Sequence, residues 1–313
     1  MKIGNSKFRV AVLMGGIGAE RDVSIQSGTC VAEALGAAGY DVVTSDVRPD
    51  RLDILEDSSV DVFFPALHGE FGEDGKLQQI LEDKGLVYAG SGPVASDLAF
   101  DKMAAKKAFV QAGVLTPAAV RFNCETDLAE ESACGGFAGK CVVKPIRQGS
   151  SVGVSIVSDV REAVETARRT AEEFGDCMIE EFIAGRELTV GILCDKALPI
   201  IEIRTKAGFY DYHAKYVDEE TQFLFDTVAE PALVRQVQST AMNCFVALGC
   251  RDFARVDFIL GGDNRAYVLE VNTIPGFTTH SLLPKAAAKA GLSMADLCVR
   301  IVEAAIASAG KGR

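Results

Sequence analysis

The sequence predicts a three-domain chain of α/β and α+β class that opens with a parallel α/β unit. Three observations predict it. The first hundred residues alternate short apolar runs with helical periodicity, the pattern of strands joined by crossover helices. Beyond about residue 115, short strand patterns surround a single helix and two hairpin patterns follow. At 313 residues the length suits two or three domains. The expected boundaries are 1–100, 101–185 and 186–313.

In the first unit Phe8–Met14, Tyr40–Asp46 and Val60–Leu67 read as strands, and Ser24–Ala38 and Gly75–Lys84 as helices. That alternation places a ligand site at the carboxyl ends of the strands. Pro93–Ala112 reads as one long helix, with Pro in its first turn and Gly113 just past its end. Cys141–Pro145, Val152–Val157 and Cys177–Phe182 read as strands around the helix Asp159–Phe174. Arg186–Cys194 and Ala197–Ile203 form one expected hairpin, and Ala254–Leu260 and Ala266–Asn272 another. Pro231–Leu248 and Ser293–Ser308 read as helices.

Composition narrows the function classes. Hydrophobic residues make up 48% and charged residues 24%, so the chain can bury its own core without disulfides or metal. The nine cysteines are odd in number and contain no CxxC pair, which predicts reduced thiols and a cytoplasmic protein. No apolar stretch reaches the roughly 20 residues that span a bilayer. The Phe8–Met14 run leads into Gly15-Gly16 and reads as a first strand, not a signal peptide. A net charge of −12 argues against nucleic-acid or anionic-membrane partners, although a pocket of a few lysines can still hold a phosphate.

The strongest local signal is ARVDFILGGDNRAYVLEVN. With GGDN as the turn, residues whose numbers sum to about 527 face each other. Asp257 then opposes Glu270 and Arg255 opposes Asn272, all on one face, with Val256, Phe258, Leu269 and Val271 on the other. Two carboxylates about 5 Å apart repel by roughly 3 kcal/mol at an effective dielectric near 20, and a divalent cation reverses that sign. Asp, Glu and Asn oxygens suit magnesium. The competing reading is a solvated face on which Arg255 screens both acids; the absence of Lys or Thr filler favours the metal.

Weaker signals accompany it. VVKPIRQGSSVGV ends a strand at Lys144 and continues into a Gly/Ser loop that can bring N–H groups and hydroxyls to phosphates. It is not a P-loop, since GxxxxGK[ST] is absent. IEEFIAGREL offers Glu180, Glu181 and Glu187 at a linker strand, where ordinary surface carboxylates are the simpler account. GGIGAE fails the GxGxxG spacing, and an acid at the end of a strand suits a substrate ammonium better than a pyrophosphate. His68, in HGEFGEDGKLQ, lies at another strand end near the same crevice and is one of only three histidines.

Taken in order, MGGIGAERDVSIQSG, LHGEFGEDGKLQ, AGSGPVASDLAFDK, VVKPIRQGSSVGVS, IEEFIAGRELTVGIL, GFYDYHAKY, ARVDF and LEVNTIPGFTTHSLLP resemble the D-alanine–D-alanine ligase family of the ATP-grasp superfamily from end to end. The resemblance implies a three-domain ATP-grasp fold, with ATP between the sheets of the central and C-terminal domains. It implies that Lys102 and Lys144 hold phosphates and that the Gly149–Gly153 loop, with Ser150 and Ser151, closes over them. Glu180, Glu181, Ile183 and Glu187 would take adenine and ribose. Asp257, Glu270 and Asn272 would bind two Mg2+, which Mn2+ could replace. Glu20, with Ser150 and Tyr216, would hold the first amino acid's ammonium. Lys215, His68 and Ser281 would surround the second amino acid's carboxylate or the phosphate, and Arg255 and the Gly276 N–H would stabilise the oxyanion. Expected partners are two D-alanines and Mg-ATP, in a homodimer.

The implied chemistry is activation of the first D-alanine as an acyl phosphate and displacement of phosphate by the second amine, for peptidoglycan precursor synthesis. Residues 205–225 are expected to form a lid that shields the acyl phosphate. The sequence departs from the family's usual residues at Ile17 or Gly18, Gln79, Gln148, His213, Ile274 and Phe277. The nearest rivals are D-serine or D-lactate ligases of the same fold, then another ATP-grasp carboxylate–amine ligase. A non-catalytic nucleotide sensor and a nicotinamide oxidoreductase follow.

Overall fold

The computed structural model describes residues 8–18, 20–122, 139–205 and 220–310. The chain begins with a three-stranded parallel sheet in the order β2-β1-β3, made of β1 (Arg9–Gly15), β2 (Asp41–Val47) and β3 (Val62–Pro65). α1 (Arg21–Ala37) crosses from β1 to β2, and α2 (Lys76–Asp83) follows β3. A parallel sheet needs both faces covered, and β1 shows how. Val10 and Val12 face α1 and the chain's last helices, whereas Ala11 and Leu13 face Leu77, Leu81 and Tyr88.

The expected helix over 93–112 is two helices, α3 (Pro93–Phe100) and α4 (Lys102–Gln111). Asp101 breaks it by adopting an extended conformation and accepting from Ala104 N at 2.9 Å, which makes it the N-cap of α4. Lys102 thereby opens the first turn of α4.

The central unit is an antiparallel sheet in the order β4-β7-β5-β6, built from β4 (Ala119–Phe122), β5 (Cys141–Pro145), β6 (Ser155–Val157) and β7 (Cys177–Glu181). α5 (Val160–Phe174) covers one face through Ala163, Val164 and Ala167. β6 starts three residues later than expected because Ser150, Ser151 and Gly153 adopt positive φ and keep the loop out of the ladder. β4 carries no run long enough to read as a strand alone.

The large sheet runs β11-β10-β8-β12-β13, with β9 paired to β8. Its strands are β8 (Gly185–Leu193), β9 (Lys196–Ala197), β10 (Ile201–Arg204), β11 (Gln222–Phe225), β12 (Phe253–Gly261) and β13 (Ala266–Asn272). The second arm of the first hairpin is therefore split into β9 and β10. α6 (Pro231–Ala247), together with Ala105 and Phe109 of α4, packs beneath Leu188, Val190 and Val256. α4 thus shares the large sheet's core, although the sequence placed it in the central unit. α7 (Leu282–Lys289) and α8 (Met294–Ala309) return to the first sheet, where Ile301 and Val302 join Val10 and Val12 in one core.

Among the described residues no helix is long and apolar enough to cross a membrane, and the cysteines are thiols, not disulfides.

Candidate active site

A cleft of about 460 Å3 opens between the central sheet and the large one. Lys144 on β5 and Glu180 on β7 line one wall, Ile183 lies in the connection between the sheets, and Glu187 lies on β8. Asp257 and Glu270 line the opposite wall. Lys102 and Ser151 are also at its surface, as is Glu181, whose side chain is exposed.

The hairpin of β12 and β13 pairs Arg255 with Asn272, Val256 with Val271 and Asp257 with Glu270. Beyond Asp257 the register slips by one, so that Phe258 faces Val268. Leu269 is the extra residue of this bulge, and it lines the cleft instead of joining Phe258 in the core. The sequence expected Leu269 on the buried face, and an unbroken two-residue alternation cannot anticipate the bulge.

Every acid on this face has a basic partner. Arg255 forks onto Asp257, with Nε 2.9 Å from Oδ1 and Nη2 2.7 Å from Oδ2. Lys102 Nζ lies 3.2 Å from Glu270 Oε2 and donates to Gln148 O at 2.6 Å. Asn272 accepts from Arg255 Nη2 at 2.6 Å and donates to Glu73 Oε1 at 3.2 Å. Thr189, opposite Asp257 on β8, donates to Asp257 Oδ1 at 2.6 Å. Among the described residues no group of three or more acidic, His or Cys side chains is placed to hold a metal. Two facing carboxylates and a carboxamide fit magnesium, which keeps positions for phosphate oxygens and water.

On the central-sheet wall, Lys144 lies diagonally across the ladder from Glu180 and contacts it at 2.7 Å. Lys106 reaches the other Glu180 oxygen at 2.5 Å. Burial alone would raise the Glu180 carboxyl, but Lys144 and Lys106 together hold it below the ordinary range. Lys106 went unnoticed in the sequence. Its only signal is its place one helical turn after Lys102, on the same helix face.

The corner around Glu20 joins three loops. Glu20 precedes α1 and accepts a short hydrogen bond from Ser150 Oγ, 130 residues away. The Glu20 carboxylate is wedged between glycines: a Cβ on Gly69 (φ +72) would stand 2.4 Å from Oε2, and one on Gly149 would stand 3.0 Å away. Glu73, also missed from sequence, is buried beside it and accepts from Gly69 N at 2.8 Å. Burial first, then the nearby Glu20 carboxylate, pushes Glu73 well above the ordinary carboxyl range. Its signal was an acid repeated through GEFGED at the end of a strand.

His68 is buried with both ring nitrogens engaged. Ile274 O, 2.9 Å from Nδ1, can only accept, so Nδ1 carries the proton. Nε2 then accepts from Ser27 Oγ at 3.0 Å, and Ser27 Oγ accepts from Phe277 N at 3.2 Å. Burial, with Arg255 adding to it against the Ile274 hydrogen bond, lowers this imidazole to about 4. His68 therefore braces the 274–277 loop as a neutral ring. In that loop a Cβ on Gly276 would stand 2.6 Å from Ser281 Oγ. Ser281 is the N-cap of α7, and its Oγ accepts from Thr278 N at 3.0 Å. Lys215, Tyr216, His213 and most of the expected lid lie outside the described residues.

Two antiparallel sheets gripping a lysine- and carboxylate-lined cleft, behind a parallel α/β unit, define an ATP-grasp protein. The family described as "D-ala D-ala ligase C-terminus" matches residues 114–303, and "D-ala D-ala ligase N-terminus" matches 48–91. A D-alanine–D-alanine ligase of Syntrophotalea carbinolica is 43% identical over 95% of this chain and 96% of its own. The Bacillus anthracis D-alanine–D-alanine ligase complexed with ATP superposes with a TM-score of 0.86 at 35% identity, covering 99% of this chain and 100% of that one. A D-Ala:D-Ser ligase of Enterococcus faecalis gives 0.84 at 27% identity, covering 96% and 100%. The chain belongs to the D-alanine–D-alanine ligase family.

Proposed function

We propose that this protein joins two D-alanines into D-alanyl-D-alanine at the expense of ATP, supplying a peptidoglycan precursor from the cytoplasm, and that it works as a homodimer. The observation that carries the reading is the opposition of Asp257 and Glu270 across one cleft from Lys144. A carboxylate is a poor electrophile until phosphorylated, and phosphoryl transfer needs positioning and charge neutralisation above all.

Lys102 and Lys144 hold the transferring phosphate, with the Ser150–Ser151 loop above it. Glu180, Glu181, Ile183 and Glu187 hold adenine and ribose. Asp257, Glu270 and Asn272 hold two Mg2+, with Mn2+ as a substitute, which when bound neutralise the phosphates. Glu20, supported by Ser150 and Tyr216, receives the first D-alanine's ammonium, leaving that substrate's carboxylate toward the phosphate. Lys215 and Ser281 hold the second D-alanine's carboxylate, and His68 braces the 274–277 loop that leads to Ser281 at the α7 N-terminus. Arg255 and the Gly276 N–H donate to the oxyanion of the tetrahedral intermediate, a role typically worth about 3 kcal/mol of barrier.

The deciding measurement is the mass of the product formed from D-alanine and Mg-ATP, beside parallel reactions with D-serine and D-lactate. D-alanyl-D-alanine as the main product supports the reading; a mixed depsipeptide or D-alanyl-D-serine as the main product replaces it. Tyr216→Phe is expected to raise D-lactate use relative to D-alanine, and an unchanged ratio removes Tyr216 from the acceptor site.

A further inference from the structure

Glu180 lies in the cleft wall with one lysine on each carboxylate oxygen, Lys144 on Oε2 and Lys106 on Oε1. All three side chains are buried, but they face different surroundings. Lys144 and Glu180 line the cleft, whereas Lys106 is not on its wall. The other contacts of Lys106 are internal: Thr116 Oγ1 at 2.6 Å and Pro117 O at 2.8 Å. Thr116 donates in turn to Val268 O at 2.8 Å, so one ammonium ties α4 and the approach to β4 to β13.

The charge balance gives the second lysine a purpose. With one lysine, Glu180 would form a neutral pair, and drawing Lys144 toward a phosphate would strand a buried carboxylate, the state burial penalises most. With two, the group is net positive, and Glu180 keeps a counter-ion whichever way Lys144 turns. We propose that Lys106 is a positioning residue for nucleotide binding, holding Glu180 as a paired carboxylate so that Lys144 is released to the phosphates. The inference rests on the assignment of Lys144 to phosphate made above. Burial lowers the Lys106 ammonium to about 8, with Glu180 opposing and Lys144 adding to the fall, so alkaline solution weakens the same pairing.

The test is a cycle on the full chain, with Kd for Mg-ATP read by calorimetry. Lys106→Met is expected to weaken binding about tenfold or more, raising KM for ATP while KM for D-alanine holds. In a Glu180→Gln background, where any adenine contact of Glu180 is altered equally in both proteins, Lys106→Met is expected to weaken binding far less than it does in the parent, because no charge is left stranded. An affinity within about twofold of the parent for Lys106→Met, or losses that simply add in the double variant, overturns the proposal. Lys144→Ala separates the two assignments. If it leaves Kd unchanged, the phosphate role and this inference both fall; if it weakens Kd while Lys106→Met does not, only Lys106 falls. Should Lys106→Met prove insoluble, Lys106→Gln keeps two N–H donors without the charge, and the same comparisons decide.

Discussion

His68 offers a sharp thermodynamic prediction, because its ring is buried neutral between Ser27 and Ile274 O. Its ordinary value of 6.5 falls to about 4 in the folded protein. Between those values the unfolded chain binds a proton that the folded one refuses, so folding stability falls as pH falls. Linkage gives a loss of about 1 kcal/mol by pH 5.5 and about 2–3 kcal/mol by pH 4.5, with almost none at pH 7.5. Carboxylates elsewhere add their own acid sensitivity, which a difference against a variant removes. His68→Asn keeps a donor for Ile274 O but cannot titrate. At pH 7.5 it should be less stable than the parent by about 1–3 kcal/mol, from the lost Ser27 contact and the smaller side chain. Urea unfolding at pH 7.5, 6.5, 5.5 and 4.5 should then show the gap between the two proteins closing in acid. A gap that stays constant with pH would mean the ring takes up a proton as readily in the folded chain as in the unfolded one, and the neutral brace would be refuted.

Three further outcomes follow from the same geometry. Glu270→Gln should lower turnover at least 100-fold while leaving the circular dichroism spectrum intact; near-parental activity at saturating Mg2+ would remove the metal assignment. Gly69→Ala places a Cβ against Glu20 Oε2 at a left-handed position. It should cost about 1 kcal/mol of stability and raise KM for the first D-alanine at least tenfold, and an unchanged KM would show that Glu20 has room to retreat. Glu202 is held by Arg186 and Arg204, which lower its carboxyl to about 2 although burial opposes them. That stabilisation is present above about pH 4.5 and is lost as pH falls toward 2, so Glu202→Gln should be the weaker protein at pH 7 and match the parent near pH 2.

Much of the site was legible because its residues are local. Asp257 and Glu270 belong to one hairpin whose turn chemistry fixes the register, and the sum of about 527 holds through Asp257. What followed was not legible: the slip at Phe258 that turns Leu269 into the cleft leaves no mark in an alternating run. Asp101 shows the same limit in a helix. Asp is an N-cap residue, yet nothing nearby says that a new helix starts there. Contacts across long stretches of chain were harder still. Ser24 and Ser27 sit within α1, and no local signal marks a partner for either. Only the fold brings Ser24 Oγ to His68 N and Ser27 Oγ to its ring. Thr189 holds Asp257 because β8 lies beside β12, a pairing that no turn specifies.

Phe277, where the family usually has Met, finds its reason in the same long-range packing. Its ring stands edge-on to Phe64 of β3 and Phe253 of β12, with centroids 5.4 Å apart in each case. The first sheet and the large sheet therefore meet at one aromatic cluster, and the backbone N–H of Phe277 holds Ser27 beneath His68. The loops around Glu20 and His68 are thereby fixed to the face that carries Asp257 and Asn272 through packed rings. The cleft's charges show the complementary arrangement: Lys102 is paired with Glu270, Arg255 with Asp257 and Lys144 with Glu180. A nucleotide carrying cations would draw Lys102 and Lys144 to its phosphates and Asp257 and Glu270 to its metals, while Glu180 keeps Lys106. Such an exchange leaves little charge to be newly buried, so the rigid framework can receive a highly charged ligand without rebuilding its walls.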